Sequence, residues 1–262
     1  MPRVRTFEGM RTFEELVDEA ATVDVSGWDF GWLDGRATEE RPPWGYSRLL
    51  ASRLPRVASA LDIDTGGGEI IGEVPRLPPK MAVTEGWPPN VERARRLLSP
   101  RGVQVVAVEQ GHALPFPEAS FELVTSRHPV APDWAGIGRV LADNGSYLAQ
   151  HVGPASAFEL IECFLGPQPR EQLARDPDRE AAAARAAGLR IVELKTARCR
   201  MEFFDIGAIV YILRKCVWWV PDFEVRRYRD VLERLDAEIR RYGAFAAHST
   251  RTLIEARRTP RR

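Results

Sequence analysis

The sequence has few of the features that place a chain in a membrane or an oxidising compartment. Its three cysteines, at positions 163, 199 and 216, are odd in number and widely spaced, and they provide neither a disulfide framework nor a zinc-ligand pattern. The most apolar run, Ile206 to Leu213, is far shorter than the roughly 20 residues of a spanning helix. The start of the chain lacks the apolar segment of a signal peptide. We therefore expect a cytoplasmic protein with no membrane contact and no bound metal.

The chain also lacks an excess of charge of either sign. Lys and Arg total 37, as do Asp and Glu, so the net charge at pH 7 is zero. Such a protein has no global attraction to nucleic acid. The arginine-rich segment 225–241 interleaves acids with its arginines, a pattern typical of a solvated, salt-bridged face. Nucleic acid is therefore not an expected partner.

From residue 57 onward, short apolar runs alternate with helical segments, which predicts right-handed βαβ units. Strands are predicted at 57–63, 80–84, 103–108, 121–126, 146–152, 189–204 and 248–258. Helices are predicted at 11–23, 48–54, 69–77, 91–98, 133–141, 155–165, 170–187 and 225–241. The predicted fold class is α/β: a Rossmann-like, seven-stranded, mostly parallel sheet with helices on both faces, plus N-terminal and inserted helical caps.

The predicted strands divide the chain into four regions. An N-terminal helical and loop cap covers 1–56, the core covers 57–204, an inserted lid covers 205–243, and the last strand and a basic tail cover 244–262. Aromatic residues crowd the N-terminal cap and the lid. Such aromatics can exclude water and stack a planar acceptor, or simply pack the caps onto the sheet.

A glycine-rich turn follows the first predicted strand, in the segment "DIDTGGGE" at 62–69. In an open parallel sheet, ligands bind beyond the carboxyl ends of the strands. A dinucleotide fingerprint needs a third glycine where Ile71 stands, and Glu69 at the helix start would repel a phosphate. A phosphate-free ligand with positive charges suits the acids at the strand ends, Glu85 among them. A turn with no ligand is the alternative interpretation.

Four stretches, in order, resemble the class I S-adenosylmethionine-dependent methyltransferases, in particular the small type 11 group. They are the glycine turn, "VTEGWPPN" with Glu85, "EQGHALPFPEASFELV" at 109–124 and "GRVLADNGSYLAQHVGP" at 138–154. The resemblance covers roughly 57–153 and implies a methyltransferase with S-adenosylmethionine as cofactor and S-adenosylhomocysteine as product. The implied cofactor-binding residues are Trp44, Tyr46, Asp62, Asp64, Gly66, Gly67, Gly68, Glu85, Gly86, Gln110, Gly111, His112 and Arg127.

Two positions depart from the pattern of this family. Asp64 replaces its first glycine, and Gln110 replaces an acid expected to meet the adenine amino group. Aspartate is one of the few non-glycine residues that tolerate a left-handed backbone, and a glutamine amide both donates and accepts hydrogen bonds. We therefore expect cofactor binding to be altered and retained.

His128 and His151 are the candidate catalytic residues, because each lies near a predicted strand end and histidine can act as a base near neutral pH. Arg127 has a second candidate role, orienting an anionic acceptor. The predicted reaction is methyl transfer to a small O- or N-acceptor, with aromatic acceptors among the candidates. The alternatives are an RNA or protein methyltransferase and a non-catalytic cofactor-binding sensor or partner subunit. The oligomeric state, a homodimer included, stays open.

Overall fold

The computed structural model describes residues 11–27, 30–169 and 175–260, and the chain forms two compact units. The first unit comprises Met1–Glu40, Ala157–Gln168 and Arg200–His248. The second comprises Arg41–Ser156, Pro169–Cys199 and Ser249–Arg262. The predicted site residues all fall within the second unit, so this unit contains the candidate site.

The described residues contain both helices and strands, connected by turns. The helices are α1 (Phe13–Thr22), α2 (Tyr46–Arg53), α3 (Glu69–Gly72), α4 (Pro88–Leu98), α5 (Trp134–Val140), α6 (Phe158–Leu165), α7 (Pro177–Ala186), α8 (Ile206–Lys215) and α9 (Arg229–Tyr242). The strands are β1 (Ala37–Glu39), β2 (Ser59–Ile63), β3 (Lys80–Glu85), β4 (Gln104–Ala107), β5 (Phe121–Arg127), β6 (Leu141–Val152), β7 (Leu189–Phe203) and β8 (Phe245–Arg258). Among these helices, none is long and apolar enough to cross a membrane.

The sheet of the second unit has the order β7-β8-β6-β5-β2-β3-β4. Strands β4, β3, β2, β5 and β6 are parallel to one another, and β8 runs antiparallel to β6. The chain first adds β3 and β4 on one side of β2 and then crosses to add β5 on the other side. This reversal makes the carboxyl ends of β2 and β5 the topological switch point of the sheet. The α/β, mostly parallel prediction is confirmed.

The prediction of seven strands is too low by one. The additional strand, β1, lies in the region predicted to be helix and loop, and it pairs antiparallel with β7, Ala37 opposite Phe203. Three residues carry too little alternation to indicate a strand, and the pairing partner lies far away in the sequence. Helix α3 is also shorter than predicted. It ends at Gly72 because Pro75 follows closely and the Arg101 guanidinium binds the carbonyl oxygens of Ile71 and Gly72 at 3.1 and 2.7 Å.

Alternate residues of the central strands enter two separate apolar clusters. One face of the sheet contributes Ala60, Leu123 and Leu148 to a cluster with α2 and α4. The other face contributes Leu61 and Val124 to a cluster with α5 and α7. The strands are therefore covered on both faces, which explains why they read as continuous apolar runs.

The first unit packs helices α1, α6, α8 and α9 around one apolar cluster. Helix α8 contains the most apolar run of the sequence, Ile206 to Leu213. Nine of the ten residues of this helix are buried. Gly207 permits close approach of α1, because a Cβ at this position would come within 2.8 Å of the Leu16 carbonyl oxygen. Helix α9 instead buries a stripe that includes Leu232, Leu235 and Ile239, as its predicted period requires.

Candidate functional site

The candidate site lies at the carboxyl edge of the parallel strands in the second unit. Register pairs Asp62 of β2 with Val83 of β3 and with Thr125 of β5, so these strands reach the edge together. The glycine turn follows β2, Glu85 ends β3, and Arg127 ends β5. The topology thereby brings residues that are distant in the sequence to one edge, as predicted from the strand pattern.

Three residues with positive φ form the turn between β2 and α3. Asp64 has φ 55°, Gly66 has φ 64° and Gly68 has φ 85°, so Asp64 adopts the left-handed conformation that its position requires. A Cβ at Gly66 would meet nothing within 4 Å, whereas one at Gly68 would lie 2.7 Å from Leu98 of α4. Gly68 therefore allows α4 to pack closely, and the Cβ side of Gly66 is open.

The Glu85 carboxylate organises this turn. Its Oε2 accepts a hydrogen bond from the Gly66 amide at 2.8 Å, and its Oε1 accepts from the amides of Gly86 and Trp87 at 3.0 and 2.9 Å. A carboxylate has about four lone-pair sites, so one acceptor position remains for a hydroxyl. The sequence placed Glu85 at the strand end but did not show that it also closes the glycine turn.

Two further carboxylates lie beside the turn, with raised pKa values. Burial raises the pKa of Asp62 to about 6, opposed by the hydroxyls of Thr125 and Thr65, and Thr125 Oγ1 donates to Asp62 Oδ1 at 2.6 Å. Desolvation, reinforced by the Glu85 carboxylate, raises the pKa of Asp64. Burial is the main cause of both shifts and a neighbouring carboxylate adds to each, so a further negative charge would be disfavoured beside this turn.

The predicted adenine-side residues occupy an exposed loop after β4. Gln110, Gly111 and His112 are all exposed, and Gly111 has φ 83°. A Cβ at Gly86 would approach the Val108 carbonyl oxygen to 2.9 Å, so this loop packs directly on the turn that follows β3. The structure thus brings Gln110, Gly111 and His112 to the same edge as Glu85.

Trp44 and Tyr46 take different positions. The buried Tyr46 hydroxyl lies 2.9 Å from the Ser126 carbonyl oxygen and 3.2 Å from that of Leu148. Tyr46 therefore anchors the start of α2 to β5 and β6, and its hydroxyl is engaged by the backbone. Trp44 is only partly buried, and its indole nitrogen donates to Gln150 Oε1 at 2.8 Å. The Trp44 side chain is the better placed of the two to contact a ligand.

His128 lies at the edge, directly after β5, with φ 58°. Its amide donates to the Gln150 carbonyl oxygen at 2.7 Å, and its Nε2 lies 3.0 Å from the Gln150 side-chain nitrogen. Burial, followed by the positive charges of Arg127, Arg251 and Arg175, holds the pKa of His128 well below its ordinary value. The imidazole is therefore neutral near pH 7.

His151 follows Gln150 near the carboxyl end of β6, but its side chain is buried on the face of the sheet that Tyr147 occupies. It is 1% exposed, and its ring contacts Glu180 Oε2 through Nδ1 at 2.7 Å and the Tyr147 hydroxyl through Nε2 at 3.0 Å. Both ring nitrogens are engaged, which argues against the predicted catalytic role of His151. Successive strand residues point to opposite faces, so Gln150, its neighbour in sequence, takes the position beside His128.

The sequence interpretation did not select four polar residues of this region: Thr125, Gln150, Arg175 and Arg251. The alternation of side chains between the two faces of a strand could have identified two of them, Thr125 and Gln150. Thr125 pairs in register with Asp62. Gln150 is a polar residue within an apolar strand, and Gln150 is only 4% exposed. Buried polar side chains have hydrogen-bond partners, so Thr125 and Gln150 each implied a polar partner at the site.

Comparisons with known proteins find similarity at the level of structure. No protein-family model and no curated protein matches the sequence. A proposed methyltransferase from Bacillus halodurans C-125 gives a TM-score of 0.58 at 15% identity, covering 82% of this chain and 97% of that one. The YcgJ protein from Bacillus subtilis gives 0.57 at 15%, covering 82% and 99%. Geranyl diphosphate methyltransferase, solved with S-adenosylmethionine, gives 0.50 at 13%, covering 81% and 84%.

Proposed function

We propose that this chain, which has the fold of the class I S-adenosylmethionine-dependent methyltransferases, binds S-adenosylmethionine and transfers its methyl group to a small O- or N-acceptor. The observation that carries the proposal is the turn at the switch point of the sheet. There, the Glu85 carboxylate holds the Gly66 amide and Gly66 leaves open space on its Cβ side. A turn of this kind presents backbone closely to a ligand.

The chemistry of the turn suits this cofactor better than a dinucleotide. Asp62, Asp64 and Glu85 place three carboxylates within one short region, where a pyrophosphate would be repelled and an ammonium or sulfonium group is favoured. Glu85 would hold the ribose hydroxyls, and the exposed loop with Gln110 and His112 would flank the adenine. Open space at Gly66 fits close approach by the cofactor.

When bound, S-adenosylmethionine would supply a methyl group activated by its positively charged sulfur, which would leave with the carbon–sulfur electron pair as a neutral thioether. The chain's residues then have to align the acceptor and exclude water. A base is needed only for an acceptor proton of high pKa. His128 Nε2 lies against the Gln150 amide nitrogen, so we assign no general base, and an acceptor that loses its proton readily is the better fit.

A second candidate function is cofactor binding without catalysis. It is favoured by the hydrogen bonds that join Trp44, Gln150 and His128 at the edge, because an acceptor would have to bind beside these engaged groups. In that case the chain acts as a sensor or partner subunit.

A labelled-methyl assay separates the two functions. The purified chain is incubated with S-adenosylmethionine carrying a radioactive methyl group and with cell lysate divided into small-molecule, protein and RNA fractions. We expect label in the small-molecule fraction. Label confined to protein or RNA would contradict the small acceptor. Tight calorimetric binding of S-adenosylhomocysteine with no labelled fraction would favour the non-catalytic function, and no binding at millimolar concentration would contradict both.

A glycine substitution at Asp64 tests the role of its carboxylate. If the carboxylate faces the positive charge of the cofactor, Asp64→Gly should weaken S-adenosylmethionine binding several-fold in calorimetry near neutral pH. The raised pKa of Asp64 means that acidification protonates the native carboxyl, so the difference should shrink as pH falls. Asn144→Gly is the matched control, because Asn144 is exposed and has φ 61°. Unchanged binding by Asp64→Gly would make Asp64 a turn residue only.

A further inference from the structure

The charged groups of the carboxyl edge divide by sign. Carboxylates lie at the ends of β2 and β3, and guanidinium groups lie toward β5, β6 and β8. Arg127 ends β5 and pairs in register with Gln150, and Arg251 pairs with Val152 at the end of β6. Arg175 joins them from the segment before α7, where its Nη2 donates to the Val130 carbonyl oxygen at 3.2 Å. All of these residues belong to the second unit.

The positive charges of these three arginines act on His128, and a chain of hydrogen bonds fixes its tautomer. An indole nitrogen can only donate, so the Gln150 atom that faces Trp44 at 2.8 Å is the oxygen. The other end of the Gln150 amide, its nitrogen, then faces His128 Nε2 at 3.0 Å and donates to it. Nε2 therefore carries a lone pair, and the proton of the neutral ring is on Nδ1.

The consequence is a hydrogen-bond donor held in a positively charged environment. The three arginines act on the His128 ring as positive charges, and Arg251 also acts against the charge of Arg175. Glu180 is the carboxylate that favours the charge of Arg175, and its Oε2 already contacts His151. Among the described residues, His128 Nδ1 has no hydrogen-bond partner. An oxyanion would accept the Nδ1 proton and lie close to the guanidinium groups.

We propose that His128 Nδ1–H, together with Arg127, Arg175 and Arg251, binds an anionic group of the acceptor, a carboxylate or a phosphate. This inference rests on the proposed function and names its substrate class: a small acid or phosphate ester. Trp44 and Gln150 are positioning residues, because they act by fixing the tautomer of His128. The division of charge then matches the two substrates, since the carboxylates face a cationic methyl donor and the arginines face an anionic acceptor.

Titration of the full chain with simple anions tests the proposal, with inorganic phosphate and acetate as separate probes. Binding is followed by the nitrogen and proton shifts of the His128 ring, assigned by their loss in His128→Gln. We expect an Nδ1–H tautomer and saturable binding in the millimolar range. Arg251→Gln should weaken the binding at least fivefold, whereas the exposed Arg96→Gln on α4 should leave it unchanged. The stronger of the two probes distinguishes a phosphate from a carboxylate acceptor.

Trp44→Phe provides the test of the positioning role. Loss of the indole donor should let the Gln150 amide rotate, so the ring spectrum should show a mixture of tautomers and weaker anion binding. An Nε2–H tautomer in the native chain, no saturable binding of either anion, or equal weakening by Arg96→Gln would overturn the proposal. Calorimetry with S-adenosylhomocysteine on the same samples separates the two claims. Cofactor binding without anion binding contradicts only the anion site, and anion binding without cofactor binding contradicts only the methyltransferase function.

Discussion

Asp62 shows how a residue of the candidate site can reduce the stability of the fold. It is 5% exposed, and its carboxylate has a hydroxyl partner in Thr125 but no cation in hydrogen-bond contact within the described part of the chain. Desolvation therefore dominates, and the pKa rises to about 6 from its ordinary 3.8. Buried carboxylates with shifted pKa values are typical of functional sites.

Asp62→Asn should remove a pH-dependent loss of stability. A folded pKa raised above the unfolded one means that ionisation destabilises the folded chain at neutral pH, and that this loss disappears as pH falls through about 6 toward 4. The difference between a pKa of 3.8 and one of about 6 corresponds to about 3 kcal/mol. We therefore compare the free energy of unfolding of the variant with that of the native chain at each pH. The variant's advantage should be larger near pH 7.5 than near pH 4, by up to about 3 kcal/mol.

Urea unfolding at several pH values measures this difference. The matched control is Asp34→Asn, which changes an exposed carboxyl and should leave the pH profile of the native chain unaltered. Parallel profiles for Asp62→Asn and the native chain would contradict the prediction.

At the scale of elements, helix α8 depends on a single capping residue. The Asp205 carboxylate accepts from the Ala208 amide at 2.9 Å and forms two hydrogen bonds, each of 2.8 Å, with the Arg36 guanidinium. The same guanidinium lies 3.7 Å from the centre of the Trp32 ring. Asp205 thus joins the start of a buried helix to the turn before β1, within the first unit.

Removing this cap should cost more than removing an ordinary one. Asp205→Ala loses the helix cap, worth about 1 kcal/mol, and leaves Arg36 without its bidentate partner, so we expect a total loss of about 2–4 kcal/mol. Asp205→Asn keeps a capping oxygen and should lose less. Asp176→Ala, which removes the cap of α7, is the control and should cost about 1 kcal/mol. Equal losses for Asp205→Ala and Asp176→Ala in urea unfolding would contradict the role of the ion pair.

For the whole molecule, zero net charge conceals a local division. Lys and Arg balance Asp and Glu over the sequence, yet at the carboxyl edge acids gather at β2 and β3 and arginines at β5 and β8. Composition alone excludes general attraction to polyanions, but it does not exclude the proposed binding of a cationic and an anionic group at this edge.

Thermal unfolding with added ligand checks the whole-molecule consequence of the proposed function. A ligand at about 100 times its Kd stabilises the folded chain by about 2.7 kcal/mol, which corresponds to a rise in Tm of about 5–10 °C for a chain of this size. S-adenosylhomocysteine should produce this rise. NAD is the control, because the turn lacks the dinucleotide pattern and its carboxylates repel a pyrophosphate. A similar rise with NAD, or none with S-adenosylhomocysteine, would contradict the assignment of the turn.

The sequence by itself determined the α/β fold class, the order of the core elements, the glycine turn and the position of Glu85. These features depend on hydrophobic period and turn chemistry, which are local. The left-handed conformation of Asp64 could be predicted in the same way, because a turn of that kind admits few residue types other than glycine.

Only the tertiary structure decided which polar residues share the edge. Strand register turns His151 into the core and Gln150 toward His128, and a shift of one residue would have exchanged them. Trp44 fixes the tautomer of His128 through Gln150, 106 residues further along the chain. Strand β1 likewise exists because of a distant partner. Such pairings require the chain to close long loops, so no local pattern in the sequence contains them.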